Sequence, residues 1–212
     1  MARPTTPLLD RKRIATAAMA LLDETGKFTV PDLARKLGVA PSSLYHHVDG
    51  RAGVIAGIRD LLHSEIDSEE FEHADWETAC ALWARSYRAV FARHPGCVQF
   101  LAVEPIADEL LHAMYDRMAG ALIKARFPPG HVLAAITAIE SFILGSVLDL
   151  AAPGLMFEST NRERTPHLVH ALDACPTGPE RAELAFEVGL KAILTGLAEL
   201  EPEHDSEAVA TA

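Results

Sequence analysis

The sequence predicts a helical protein with a small basic helix-turn-helix module ahead of a larger acidic helical body. Three observations predict it. Apolar residues near the N-terminus recur at i, i+3, i+4, i+7; two later stretches repeat small residues at i, i+4, i+7, i+11; and charge divides unevenly along the chain. The 212 residues carry a net charge of −11, yet residues 1–59 hold nine Lys+Arg against five Asp+Glu. The N-terminal stretch is therefore at +4 and the remaining 153 residues at −15.

The first helix reads from Asp10 through Leu22, with Ile14, Ala17, Ala18, Leu21 and Leu22 on one face and Gly26 as its stop. Thr29 is the N-cap of a second helix, with Pro31 in the first turn, where a missing N–H costs little. Val30, Leu33, Ala34 and Leu37 keep the helical spacing up to Gly38, the expected C′ residue. A third segment opens at Pro41 and runs through Val48. Leu44 and Val48 turn inward, which leaves Ser42, Ser43, Tyr45, His46 and His47 outside. Asp49-Gly50 breaks it, and Val54, Ile55, Ile58, Leu61 and Leu62 mark a fourth helix over Arg51 to Ile66. Two short helices about the Gly38 turn form a helix-turn-helix, whose second helix suits a major groove about 12 Å wide. An ordinary helical hairpin has the same spacing, so the polar outward side chains are the added signal.

The run from Phe28 to Val48, and within it Leu33-Ala34, Leu37-Gly38-Val39, Leu44-Tyr45 and His47, resembles the DNA-binding domain of TetR-family transcriptional repressors over residues 10–57. Ser141 to Leu148, and the segment from Asp75-Trp76 to Pro95, resemble the tetracycline-repressor type of C-terminal domain. The resemblance implies an all-α fold of nine or ten helices, a DNA-binding domain over 1–57 and a ligand-binding and dimerisation domain over 58–201. A frayed acidic tail would follow over 202–212. It also implies a homodimer on double-stranded operator DNA, released when a small-molecule effector binds and tilts the fourth helix. Ser42, Ser43, Tyr45, His46 and His47 would then meet bases or phosphates. Arg51 falls where the family carries a phosphate-binding lysine, and Thr29 sits at a helix N-terminus suited to a phosphate. Pro31 stands where tetracycline repressors carry a guanine-reading arginine, so base specificity differs. The histidine with which those repressors hold a magnesium–drug chelate falls near Phe100, beside Gln99. A metal-free, apolar or aromatic effector is the expectation, with no cofactor and no metal.

In the body, Ala134, Ala138, Ser141 and Gly145 form one small-residue stripe and Ala185, Gly189, Ala192 and Gly196 a second. Small residues let helix axes approach closely, so these two helices are the expected dimer interface, a four-helix bundle across a two-fold axis. Packing within one subunit would use the same spacing. Candidate effector walls are Trp83, Tyr87, Phe91, Phe100, Val103, Met114, Met118, Phe142 and Met156, all of which also suit a plain core. Glu140 interrupts Ile136, Ile139, Ile143 and Leu144. It is either a pocket carboxylate or one at an exposed or dimer edge. His112 and Tyr115 are expected at the surface. The segment Pro153 to Pro179 reads as loop-rich.

Other classes fit less well. No GxSxG, P-loop, HExxH or glycine-rich dinucleotide turn is present. A helical enzyme using Glu140 with His112 would leave the N-terminal pattern unexplained; a ligand-independent DNA-binding protein is the other alternative. Cys80, Cys97 and Cys175 lack metal spacing and are odd in number, which suggests a reducing compartment. The apolar stretch Val132 to Ala152 contains Glu140 and Asp149 and reads as a buried helix, not a membrane span. No signal core precedes the first helix, so a cytoplasmic protein is expected.

Overall fold

A computed structural model of the chain describes residues 9–102, 109–152 and 162–200. Among the described residues there are eleven helices and no strand. The chain divides into two compact units, Met1–Ile66 with Arg93–Ala113, and Asp67–Ala92 with Met114–Ala212.

The first unit begins with α1 (Arg11–Thr25), capped by Asp10, whose carboxylate accepts the Arg13 N–H at 2.7 Å. Gly26 ends it in the left-handed region at φ 71°, a conformation open to glycine. Its buried face is Ile14, Ala15, Ala18, Met19 and Leu22. The expected stripe through Ala17 and Leu21 is therefore rotated by part of a turn. Gly57 explains the rotation, because it lets α4 (Gly50–His63) close on Ala15. The helix α2 (Val30–Leu37) starts at Thr29, whose hydroxyl accepts the Asp32 N–H at 3.2 Å, and stops at Gly38, as its sequence implies.

The third segment is shorter than expected. Only α3 (Pro41–Leu44) is α-helical, and residues 45–47 form a tighter turn in which the His47 N–H reaches the Leu44 carbonyl at 2.9 Å. Leu44 and Val48 are buried on either side of that turn. One further helix joins this unit from later in the chain. It is α7 (Pro95–Leu101), which lies along α1. Gly96 permits the approach, since a Cβ there would sit 2.3 Å from the Leu22 carbonyl oxygen. Asp23 fastens it, accepting the Gly96 N–H at 3.2 Å and lying 2.8 Å from His94 Nδ1.

The second unit contains α5 (Glu70–His73), α6 (Trp76–Ala92), most of α8 (Glu109–Lys124), α9 (Pro129–Leu150), α10 (Pro166–Ala174) and α11 (Gly178–Ala198). The segment read as loop-rich thus holds α10 and the start of α11, each opened by a proline in its first turn. By length and composition α9 could cross a membrane. Instead it buries Val132, Ala135, Ile136, Ile139, Ile143 and Val147 and packs along α6 and α11. Arg181 grips Asp149 through both carboxylate oxygens, at 3.0 and 2.9 Å. Arg85 grips Glu187 in the same manner, and Arg88 pairs with Glu183 while lying 4.3 Å over the Phe186 ring.

Candidate nucleic-acid interface and effector site

The nucleic-acid face is made by burying two residues and exposing the rest. Leu44 and Val48 anchor the third segment, so Ser42, Tyr45, His46 and His47 stay exposed and Ser43 half-buried. Tyr45 is 59% exposed, which rules out its ring being packed under the first helix. Thr29 is exposed, but its hydroxyl is engaged by Asp32, so a phosphate there would share an occupied cap. The same hydroxyl, with Arg35 in support, holds the Asp32 carboxyl below the usual carboxylate range. Arg51 is exposed at the start of α4, with its guanidinium 4.9 Å from the centroid of Phe100.

Phe100 belongs to α7 and to the first unit, where its ring also meets Phe28 at 5.3 Å. Trp83, Tyr87, Met114, Met118, Glu140 and Phe142 lie in the second unit. The Gly96–Leu22 approach draws α7 onto α1. Val103 and Met156 lie outside the described residues.

In the second unit, Trp83, Tyr87 and Phe91 form an aromatic ladder along α6, with centroids 5.3 and 4.7 Å apart. Met114 and Met118 are buried on α8. Glu140, half-buried on α9, accepts hydrogen bonds on one oxygen from Tyr87 at 3.0 Å and Tyr115 at 2.8 Å. It is therefore not a free edge carboxylate, and Tyr115 is not a plain surface residue. His112 is exposed, so the Glu140 partner on α8 is Tyr115, one turn further on. Trp83 is 1% exposed, and its indole N–H meets no acceptor among the described residues. Phe142 stacks on Phe186 at 5.7 Å.

The small-residue stripes are largely turned outward. Ala134, Ala138, Ser141, Gly145, Ala185, Ala192 and Gly196 are exposed, beside Leu133 at 69% and Val188 at 61% exposure. Gly189 is the exception. A Cβ there would lie 2.5 Å from the Phe142 ring, so this glycine serves packing between α9 and α11 of one chain.

A helix-turn-helix with a polar outward face, attached to a helical body, is the architecture of a DNA-binding regulator. The sequence profile of the tetracyclin repressor-like, C-terminal domain family matches residues 70–200. The tetracycline repressor protein class A from transposon 1721 of Escherichia coli is 30% identical over 205 residues, 90% of this chain and 91% of that protein. An HTH-type transcriptional regulator of Saccharopolyspora erythraea is 29% identical over 145 residues, spanning 68% of this chain and 61% of that protein. Among solved structures, apo ActR from Streptomyces coelicolor superposes with a TM-score of 0.74 at 21% identity, covering 91% of this chain and 96% of that one. The chain belongs to the TetR family of transcriptional regulators.

Proposed function

We propose that this protein is a cytoplasmic, homodimeric repressor that holds operator DNA through Thr29, Ser42, Ser43, Tyr45, His46, His47 and Arg51 and lets go when a small effector enters its body. The observation that carries this reading is the exposed set Ser42, Tyr45, His46 and His47 around a segment whose buried side chains are Leu44 and Val48. Hydroxyls, imidazoles and a phenol can meet base edges and phosphates.

Two copies must present these segments about 34–36 Å apart, or a multiple of it, to reach successive major grooves. Dimerisation through the outward faces of α9 and α11 would supply the symmetry. Support comes from Leu133 and Val188, large apolar side chains left exposed beside alanines and glycines that admit close approach. An obligate interface of this kind buries on the order of 2,000 Å² or more.

The effector is apolar or aromatic, with walls from Trp83, Tyr87, Met114, Met118 and Phe142. Two polar features would orient it. Glu140 can accept a further donor, and the Trp83 N–H, which meets no acceptor among the described residues, can give one to an acceptor. Release follows only from differential affinity: the effector must favour the DNA-free form.

The test is gel retardation on operator recovered by selection from random duplexes. The Ser42→Ala/Ser43→Ala double variant and Tyr45→Ala are expected to lose specific retardation while remaining dimeric by sedimentation. Normal retardation by the double variant would refute the groove assignment.

A further inference from the structure

We propose that the effector is an aromatic amine whose ammonium group sits on the Glu140 carboxylate. This rests on the reading of the second unit as the effector site and narrows the chemistry of what enters it. Glu140 is half-buried on α9, and its Oε1 accepts from Tyr87 of α6 at 3.0 Å and from Tyr115 of α8 at 2.8 Å. Among the described residues, no hydrogen bond reaches Oε2 and no basic side chain pairs with this carboxylate. The other two half-buried acids of α9 and α11 differ in this respect. Asp149 is gripped by Arg181 and Glu187 by Arg85, each through both oxygens.

A carboxylate withdrawn from water costs free energy unless a counter-charge and hydrogen bonds replace that water. The two phenols supply hydrogen bonds and no charge. A glutamine would accept from both tyrosines equally well through its carbonyl oxygen, so what a carboxylate adds here is negative charge. The surroundings suit a cation on it. Tyr87 and Tyr115 touch the group, and Trp83 lies edge-on to Tyr87 with ring centroids 5.3 Å apart. Aromatic rings attract cations through their quadrupoles. No group of three or more His, Cys, Asp or Glu side chains suited to a metal ion occurs among the described residues, and an ammonium needs only one carboxylate. The buried Trp83 N–H, which meets no acceptor among the described residues, offers a second handle to an oxygen on the same molecule.

The experiment uses the full-length protein carrying Trp76→Phe, which leaves Trp83 as its single tryptophan. Three probes share one frame and differ in the head group: phenylbutylamine, phenylbutanol and phenylbutyrate. Calorimetry gives the affinity, and Trp83 emission gives the location. The amine should perturb Trp83 and bind about tenfold tighter than the alcohol, with the butyrate weakest. Glu140→Gln should lower the amine's affinity about tenfold, to the level of the alcohol, and leave the alcohol unchanged. Glu180→Gln, which removes an exposed charge from the same unit, should change neither and so controls for general attraction of cations to an acidic body.

If amine and alcohol bind equally well and both perturb Trp83, the effector reading stands and the amine assignment fails. If Glu180→Gln abolishes the amine's advantage as fully as Glu140→Gln does, the overall field of the body is responsible and the proposal fails. If Glu140→Gln lowers the melting temperature by circular dichroism but keeps the amine's advantage, the carboxylate only clasps helices together, which also overturns it. If none of the three probes binds or perturbs Trp83, the effector reading of this unit falls and takes the proposal with it.

Discussion

Replacing Gly96 with alanine is expected to loosen the DNA-binding unit, because the clash it creates is with backbone. The new Cβ would lie 2.3 Å from the Leu22 carbonyl oxygen, 2.6 Å from its carbon and 2.8 Å from Asp23 Cα. No rotamer relieves such a contact, so α7 must retreat by about 1 Å to reach ordinary spacing. That retreat stretches the Gly96 N–H bond to Asp23, now 3.2 Å, and disturbs the 2.8 Å contact between Asp23 and His94. Overpacking costs about 1–3 kcal/mol, and a weakened bond to a charged acceptor adds about 1–2 kcal/mol. For a chain of this length a loss of that size lowers the melting temperature by roughly 5–15 °C.

Hydrogen exchange should show the loss locally, as reduced protection over Arg11–Thr25. Gly120→Ala is the matched control. Gly120 lies within α8 with nothing within 4 Å of its would-be Cβ, so alanine there should stabilise by about 0.5–1 kcal/mol. If Gly96→Ala is as stable as the wild type, the close approach of α7 to α1 is wrong.

Two further outcomes are expected. Burial, aided by the Arg59 charge, pushes His63 down from 6.5 to about 4. The unfolded chain therefore takes up a proton that the folded chain refuses, so stability is full above pH 6.5 and falls by up to ~3 kcal/mol on the way to pH 4. Urea unfolding across that window should show a steeper pH slope for the wild type than for His63→Gln; equal slopes would exclude the effect. Among the cysteines, Cys80 and Cys97 are buried with thiols pushed up to about 12, whereas Cys175 is exposed. A thiol reagent at neutral pH should label one cysteine per native chain, mapped to Cys175, and three after unfolding.

The helices of the DNA-binding unit were legible because their signals are local. Asp10, Gly26, Thr29 and Gly38 cap as their chemistry dictates, and each acts within four residues of itself. Even there, periodicity placed the buried stripe of α1 imperfectly, since the choice between Ala17 and Ala15 depends on Gly57 of another helix. The length of α3 was overread for a related reason. Leu44 and Val48 are spaced i, i+4, and a tight turn satisfies that spacing as well as a helix does. In the body, the small-residue stripes were visible, but that Gly189 faces Phe142 while Gly145 and Gly196 face open space was not.

From sequence alone came the helical reading, the breaks between the first helices, and the polar face of the third segment. These follow from side-chain spacing and capping, which neighbouring residues settle among themselves. Tertiary structure alone decided which residues became partners. It set the Phe100 ring beside Arg51 and Phe28, and it gave Glu140 two tyrosines, 53 and 25 residues away, in place of His112. Such pairings depend on how closely helices can approach, and that is set by single glycines such as Gly96 whose neighbours lie far away along the chain.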